Sequence, residues 1–427
     1  MLYFLFIFYG FLFCWLITRI HFFKNSGLST KVLVILFAIR ILSLIVGCYV
    51  NIHVLAISDS LEYQKRGIDQ FHLLFQNTGD YFSNMFRTDY PSGYSRFLDD
   101  SKSFWNNLRT ILVGKMLSVF DLFSFQNFWI NTLFYNFLVF FGNVALYKVF
   151  IRLFPKDGLP IILCVFLFPS ALLYTSMINR DGLIFLSLSM VIYHLFYILN
   201  SRLISWKRIW LIGFFLLVIL LLRNFVFIIL IPAIVAWIIA VKYPKKALIT
   251  FASVYFLSII FFFISGSFSQ RTNLPQYVSQ RQQSFIELGK TANSTLEIDS
   301  LAPTWKGFLY NTPQSLNHAF MRPYLLERNN LAYVPFALEV LLTEILFLLF
   351  IFFHKKKKLV DPLIYCCIFF SVSMLLITGY TIPIMGAIVR YRSIYLLLLL
   401  IPIVCYTDWV KIRKKFSFEK KKPIEVK

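Results

Sequence analysis

Long apolar runs alternate with short polar connections over most of this chain. A helix that crosses the hydrocarbon core of a bilayer needs about 20 predominantly apolar residues, and hydrophobic runs of about that length recur along the sequence. On this rule the sequence predicts eleven transmembrane helices, at residues 2–18, 32–52, 127–147, 159–177, 183–199, 209–222, 224–241, 247–265, 333–354, 363–380 and 393–409. The predicted fold class is therefore an all-α polytopic membrane protein. The pair at 209–241 is joined only by Arg223-Asn224, so it is either a helical hairpin or one long bent element.

Two long polar stretches, 53–126 and 266–332, interrupt this pattern and are predicted to be loops that contain short helices. The first is acid-rich and aromatic between Ser58 and Arg109, where polar side chains directly follow a span. Residues 109–126 are amphipathic but too short and polar to span, which favours a helix lying in the membrane interface. The first long loop is thus where we expect water and chemistry to meet the bilayer.

The composition supports one membrane domain, residues 1–410, followed by a basic tail at 411–427. The chain is 59% hydrophobic and only 15% charged, which is more apolar surface than a soluble fold of this size can bury. The first apolar run has no basic segment before it and no small-residue cleavage site after it, so it is predicted to be a retained span. The net charge of +22 is dispersed among the spans, and we predict no nucleic-acid partner.

The positions of the basic residues predict the topology. With the amino terminus outside, alternate loops and the tail carry 24 basic residues, and the positive-inside rule then puts the carboxyl terminus in the cytoplasm. These 24 residues are 19 Lys and 5 Arg, whereas the predicted outer face has 12 Arg and 5 Lys. Because a guanidinium holds a carboxylate or phosphate through two parallel hydrogen bonds, the outer face is predicted to bind anions. The alternative is that these arginines pair with the 13 outer acids.

Carboxylates stand close to the end of the second span. Asp59 and Glu62 would lie at the edge of the membrane, and Tyr63 follows them. A carboxylate kept ionised there by a nearby cation can act as a general base toward a hydroxyl. The alternative is an acid that only begins a loop or caps a helix.

Arginines stand at three further predicted membrane edges. In Asn179-Arg180-Asp181-Gly182, a phosphate could rest on Arg180 and on the helix start at Gly182. Alternatively, Asp181 caps that helix and pairs with Arg180. The remaining candidates for binding an anion are Arg322, before Pro323, and Arg390 and Arg392, before the last predicted span. Arg390 and Arg392 have no nearby acid in sequence, so they either meet an anion or extend their charge toward water.

Few charged residues lie inside the spans. Arg40 is predicted to pair with Glu344, because buried ionisable groups usually face a partner or a cavity. His53 is either an acid–base group or a structural residue. The six cysteines follow no metal spacing and are predicted to be packing residues. No nucleotide, nicotinamide or zinc motif occurs, so we predict no cofactor and no metal.

Taken together, Asp59-x-x-x-Tyr63, the Asn179–Gly182 stretch and Arg390-Tyr391-Arg392 resemble bacterial GT-C-fold glycosyltransferases. They resemble equally the Wzy-like O-antigen or exopolysaccharide polymerases. The resemblance implies a polyprenyl-phosphate- or diphosphate-linked sugar as donor, a bacterial inner membrane as location and other envelope biosynthesis proteins as partners. The residue roles that it implies are a catalytic acid pair, Asp59 and Glu62, and a substrate-binding set of Tyr63, Arg180, Asp181, Arg322, Arg390 and Arg392.

Two other classes of function stay open. A transporter or flippase of a lipid-linked anionic glycan would use the arginines as a path, and an envelope scaffold would use them for neither purpose. A flippase should line the membrane interior with charge, and the predicted interior has only Arg40, Glu339 and Glu344. The sequence therefore favours chemistry at one face.

Overall fold

A computed structural model gives the fold of the chain. It describes residues 2–50, 52, 59–88, 90, 91, 93–95, 97, 103–201, 205–268, 273–290, 294–325, 327, 333–355 and 360–416. Within these residues the structure is helical, without strands, and includes two isolated β-bridges, Thr295 with Ile384 and His354 with Thr407. The predicted all-α fold is confirmed. His53 and the tail beyond Phe416 lie outside the described residues.

Nineteen α-helices occur in the described part of the chain. They are α1 Leu2–Arg19, α2 His21–Lys24, α3 Thr30–Tyr49, α4 Asp59–Gln76, α5 Thr78–Ser83, α6 Phe104–Ser124, α7 Phe128–Leu153, α8 Gly158–Leu167, α9 Pro169–Ser176, α10 Arg180–Leu199, α11 Trp206–Leu222, α12 Asn224–Lys242, α13 Ala247–Phe268, α14 Leu274–Gly289, α15 Trp305–Leu316, α16 Val334–Phe352, α17 Pro362–Thr381, α18 Met385–Tyr406 and α19 Trp409–Phe416. A π-helical turn, Asn317–Met321, follows α15.

Nine of the described helices are long and apolar enough to cross a membrane, and a tenth span is formed if α8 and α9 count as one. These two helices meet at 44°, because Pro169 has no N–H to continue α8 and Phe168 is extended. The predicted span at 159–177 is therefore a broken one. The remaining predicted span corresponds to α11, which has 17 residues, one fewer than the shortest of these nine helices.

The connection at Arg223 is a helical hairpin. Arg223 is the single non-helical residue between α11 and α12. It contacts Asp181 at the start of α10, so α11 must run back along α10. At the start of α12, the ring of Phe225 contacts Arg281 of α14, which the chain reaches only after α13 has returned. The hairpin is thus the correct choice of the two that the sequence left open.

The helices form one bundle with two distinct ends. Helices α7, α10 and α18 occupy its centre, since 67%, 72% and 83% of the residues in their apolar stretches are buried. The corresponding share is 11% for α1 and for α13. One end, here called the site end, brings together the starts of α4, α10 and α18. At the opposite end, Lys355 after α16 pairs with Asp157 before α8 and donates to the carbonyl of Cys405 in α18. The loops before α8 and after α16, which were predicted to lie on the same face, thus meet at one end of the bundle.

Helices α4 and α6 pack as an amphipathic pair at the site end. Their close approach depends on Gly67, where a Cβ would lie 2.7 Å from Leu117, and on Gly114, which lies against the backbone of Arg66. The predicted helix at 109–126 is therefore present but begins earlier, at Phe104. Asp59 is the first residue of α4, and the pair places it beside α18, where it contacts Arg390.

The predicted Arg40–Glu344 ion pair is wrong for the described structure. Arg40 in α3 donates instead to Asn143 Oδ1 at 3.2 Å, to Thr175 Oγ1 at 3.1 Å and to the carbonyl of Thr175. Neutral acceptors from α7 and α9 therefore solvate this buried guanidinium. The start of the last span also differs from the prediction of residue 393, because α18 begins at Met385 and includes Arg390 and Arg392.

Candidate anion-binding site

A row of alternating charges lies at the site end of the bundle. Arg223 Nη2 lies 2.6 Å from Asp181 Oδ1, and Arg390 Nε lies 3.0 Å from Asp181 Oδ2. Arg390 Nη1 then donates to Asp59 Oδ2 at 2.6 Å. The row Arg223–Asp181–Arg390–Asp59 joins α4, α10, α18 and the α11–α12 connection. It becomes more accessible along its length, since Asp181 is fully buried and the Asp59 side chain is 47% exposed.

The start of α10 is built to hold Asp181 in this place. The Asn179 side chain caps α10 by accepting the Gly182 N–H at 3.1 Å, and Tyr135 Oη donates to the Asn179 carbonyl at 2.6 Å. A Cβ at Gly182 would lie 2.2 Å from Tyr135 Oη, so this contact requires a glycine. Asp181 therefore neither caps the helix nor pairs with Arg180, in contrast to the alternative considered from sequence. Its carboxylate is free to bind Arg223 and Arg390.

Arg223 was not among the residues selected from sequence as site candidates. Its guanidinium lies 4.0 Å from the ring centroid of Tyr391 and is almost fully buried. This contact is a cation–π interaction that stabilises the Arg223 charge in addition to Asp181. A signal was present in the sequence, because Arg223 is the only charged residue between two long apolar runs.

Asp59 is ionised in this environment. Burial acts to raise the pKa of Asp59, but the charge and hydrogen bond of Arg390, with the charges of Arg180 and Arg223, lower it by more. The pKa of Asp59 is therefore below its ordinary value. Tyr63, buried one turn further along α4, has a pKa raised by burial despite the opposing charge of Arg180. It stays protonated at neutral pH and can donate a hydrogen bond.

Arg180 is a further cation beside this row, and neither aspartate of the row forms an ion pair with it. It lies within electrostatic range of both Asp59 and Tyr63. Among the described residues no carboxylate lies within 4 Å of its guanidinium, and its buried Nε has no hydrogen-bond partner there. Three arginines therefore face two aspartates, Asp59 and Asp181, and the cluster has a net charge of +1. Such a site can accept an anion, and the accessible end near Asp59 is where an anion could enter.

The structure brings together five of the eight residues selected from sequence, Asp59, Tyr63, Arg180, Asp181 and Arg390. Glu62 is exposed and has no ion pair among the described residues. Arg322 pairs with Glu327, and the fully buried Arg392 donates to the carbonyl of Arg322. Residues two apart on an α-helix point about 200° apart, so Arg390 and Arg392 cannot both face Asp59.

Arg392 belongs to a second buried polar region behind the first. Glu339 of α16 accepts the backbone N–H of Ser170 at 2.6 Å and lies within electrostatic range of Arg392 and Tyr174. Tyr174 is also within range of Arg390, so it lies between the two regions. This second region holds the broken span α8–α9 against α16 and α18.

Among the described residues, no group of three or more His, Cys, Asp and Glu side chains is arranged to hold a metal ion. Comparison of the chain with family models, with curated proteins and with solved structures finds no match. The class of protein is therefore given by the bundle alone, as a multi-pass membrane protein with an arginine-rich polar site at one end.

Proposed function

We propose that this protein is a membrane glycosyltransferase or polysaccharide polymerase that uses a polyprenyl-phosphate- or diphosphate-linked sugar on the outer face of a bacterial inner membrane. The observation that carries the proposal is a cluster of three arginines and two aspartates, with a net charge of +1 and an accessible carboxylate, at one end of the bundle. A lipid-linked donor presents its phosphate at the depth where a span ends. Its sugar would extend toward Asp59 and the α4–α6 pair.

The proposed reaction is a single displacement at the anomeric carbon of the donor. The acceptor hydroxyl oxygen forms the new bond to this carbon while the bond to the phosphate oxygen breaks. Asp59 accepts the hydroxyl proton, and the leaving phosphate takes the electron pair. Arg180 and Arg390 stabilise the negative charge that grows on the phosphate in the transition state.

The low pKa of Asp59 sets a condition on this reaction. A carboxylate bound to Arg390 is a weak base, so proton transfer is favoured once the phosphate replaces Asp59 on that guanidinium. The half-exposed position of Asp59 allows such an exchange, whereas the buried Asp181 keeps Arg390 in place. Arg390 thus has a fixed partner and an exchangeable one, which is suited to binding and releasing an anion.

The described interior of the bundle favours this proposal over a flippase. A path for an anion would need cations along the membrane interior, but Arg40 is engaged by Asn143 and Thr175. The arginines that we assign to the donor phosphate, Arg180 and Arg390, lie together at one end of the bundle.

The test is the profile of lipid-linked glycans in cells that produce Asp59→Asn, with Glu62→Gln as the matched control. Both changes remove one negative charge from the same turn of α4, but only Asp59 contacts Arg390. We expect Asp59→Asn to abolish elongation at normal protein levels and Glu62→Gln to leave it unchanged. A normal product with Asp59→Asn would eliminate Asp59 as the base.

The arginine part of the proposal has a separate test. Lys cannot reproduce the two directions in which Arg390 contacts Asp59 and Asp181. We therefore expect Arg390→Lys to reduce elongation nearly as much as Arg390→Ala. A mild effect of Arg390→Lys would indicate that a positive charge is enough at this position and that a bidentate contact of the guanidinium with the donor phosphate is not needed.

A further inference from the structure

A second group of cations lies at the opposite end of the bundle, where no anion-binding residue was predicted. It combines three basic residues from α7 and α11 with aromatic rings from α2 and α10. This basic–aromatic cluster consists of Lys148, Arg152, Arg208, Phe22, Tyr193 and Tyr197. Along α10, Tyr197 is 16 residues from Asp181, or about 24 Å at 1.5 Å per residue. The cluster is therefore separate from the site at Asp59.

Lys148 is the deepest member of the cluster. It is only 9% exposed, its Nζ lies 4.4 Å from the ring centroid of Phe22 and 5.3 Å from that of Tyr193, and it donates to the Phe22 carbonyl at 3.3 Å. The rings of Phe22 and Tyr193 meet edge to face at 5.6 Å. Two rings and one carbonyl thus surround an ammonium that keeps unused donor capacity.

Two guanidiniums share one aromatic ring beside Lys148. Arg152 Cζ lies 5.2 Å and Arg208 Cζ 4.9 Å from the ring centroid of Tyr197. Arg208 has a buried Nη1 without a hydrogen-bond partner in the described structure, and it is close enough to Lys148 for the two charges to repel. Like charges at this range repel each other, and a bound anion would reduce that repulsion.

The protein does not supply that anion from its described residues. None of the three cations has a carboxylate within 4 Å there, and the acids at this end are used elsewhere. Asp157 pairs with Lys355, Asp408 pairs with Lys411, and Asp361 caps α17 at Leu363. No described carboxylate therefore offsets the charge of this cluster, and an anion from outside the described residues can do so.

We propose that the basic–aromatic cluster binds the phosphate head group of an anionic phospholipid in the leaflet at this end of the bundle. Clusters of cations between transmembrane helices suit lipid phosphates, because Lys and Arg contact the oxygens while tyrosine rings lie at the interface. The neighbouring surface is apolar, with Trp206 and Trp210 of α11 exposed at the same end. Acyl chains would lie against α11 below the bound head group. The site is independent of the proposed transferase activity, because it lies at the other end of the bundle.

The experiment measures one-to-one lipid adducts of the full-length protein in mild detergent by native mass spectrometry. The lipids are phosphatidylglycerol and phosphatidylcholine of identical acyl chains, supplied at equal concentration. The test variant is Arg152→Gln with Arg208→Gln. The control is Lys245→Gln with Lys246→Gln, which removes the same charge from exposed residues between α12 and α13. We expect the wild type and the control to retain phosphatidylglycerol preferentially, and the test variant to bind it about 30-fold more weakly, as for two basic residues near an anionic head group.

A further variant separates binding from folding. Tyr197→Leu removes the ring that both guanidiniums contact but leaves every charge in place. It should also weaken retention of phosphatidylglycerol, with an unchanged elution profile in size-exclusion chromatography. Equal loss in the test and control pairs, no preference between the two lipids in the wild type, or displacement of the lipid by millimolar inorganic phosphate would each overturn the proposal.

Discussion

Asp59 and Asp181 both contact Arg390, yet they differ in burial, and this difference predicts opposite roles. Each can be replaced by Asn, which keeps its size and removes one negative charge. We expect Asp181→Asn to destabilise the protein strongly. We expect Asp59→Asn to leave stability nearly unchanged while it abolishes glycan elongation.

The magnitudes follow from the contacts that each change removes. Without Asp181, the buried Arg223 has no carboxylate within 4 Å among the described residues, and loss of one partner of a buried ion pair costs about 3–5 kcal/mol. Without Asp59, Arg390 still has Asp181 at 3.0 Å. The ion pair that is lost, Arg390 with Asp59, is partly exposed to solvent at Asp59. Exposed ion pairs contribute about 0–1 kcal/mol to stability.

The cysteines provide the assay. Five of the six are buried, so a maleimide that fluoresces on reaction with a thiol reports unfolding during heating. Midpoints in detergent are compared at one scan rate, because unfolding of such proteins is often irreversible. Equal midpoints for Asp181→Asn and Asp59→Asn would refute the reasoning from burial. Adding Arg223→Gln to Asp181→Asn should recover part of the loss, as the two residues are directly coupled.

Three further predictions test the surroundings of the site. Gly182→Ala should lower the unfolding midpoint and impair elongation, because the alanine Cβ would lie 2.2 Å from Tyr135 Oη. The control is Gly213→Ala, where no atom lies within 4 Å of the added Cβ; it should leave stability unchanged or raise it by up to about 1 kcal/mol. Burial raises the pKa of Asp121 in α6 despite hydrogen bonds from Asn131, Gln64 and Ser124. The protonated Asp121 therefore contributes stability that is complete below the unfolded pKa of about 3.9 and is lost as pH rises through the higher pKa of the folded protein. Asp121→Asn should remove this pH dependence and be neutral or stabilising at pH 7; a strong destabilisation at pH 7 would contradict it. Tyr63→Phe should weaken donor binding without altering the midpoint, if its hydroxyl donates to substrate, and an unchanged donor affinity would show that only its ring matters.

The sequence alone was sufficient for the membrane architecture. Apolar runs of spanning length predict helices because the backbone must satisfy its hydrogen bonds locally inside a bilayer. Each predicted span has a helical counterpart, and the main differences are the break at Pro169, the early start of α18, the late end of α7 at Leu153 and the limited length of α11. The excess of arginine over lysine in alternate loops also indicated the end of the bundle where Arg180, Arg223 and Arg390 lie together.

Which charges meet was decided only by the packing of the helices. Arg390 and Asp59 are 331 residues apart, and nothing local in either stretch indicates the other. Arg392 lies two residues from Arg390, yet the helical period turns it to another face and into a separate buried region. Arg223 joins the cluster because a hairpin returns α11 to the start of α10. Hydrophobic length is a local property that a sequence displays directly, whereas the partner of a charge depends on the rotation and neighbours of its helix, which exist only in the folded bundle.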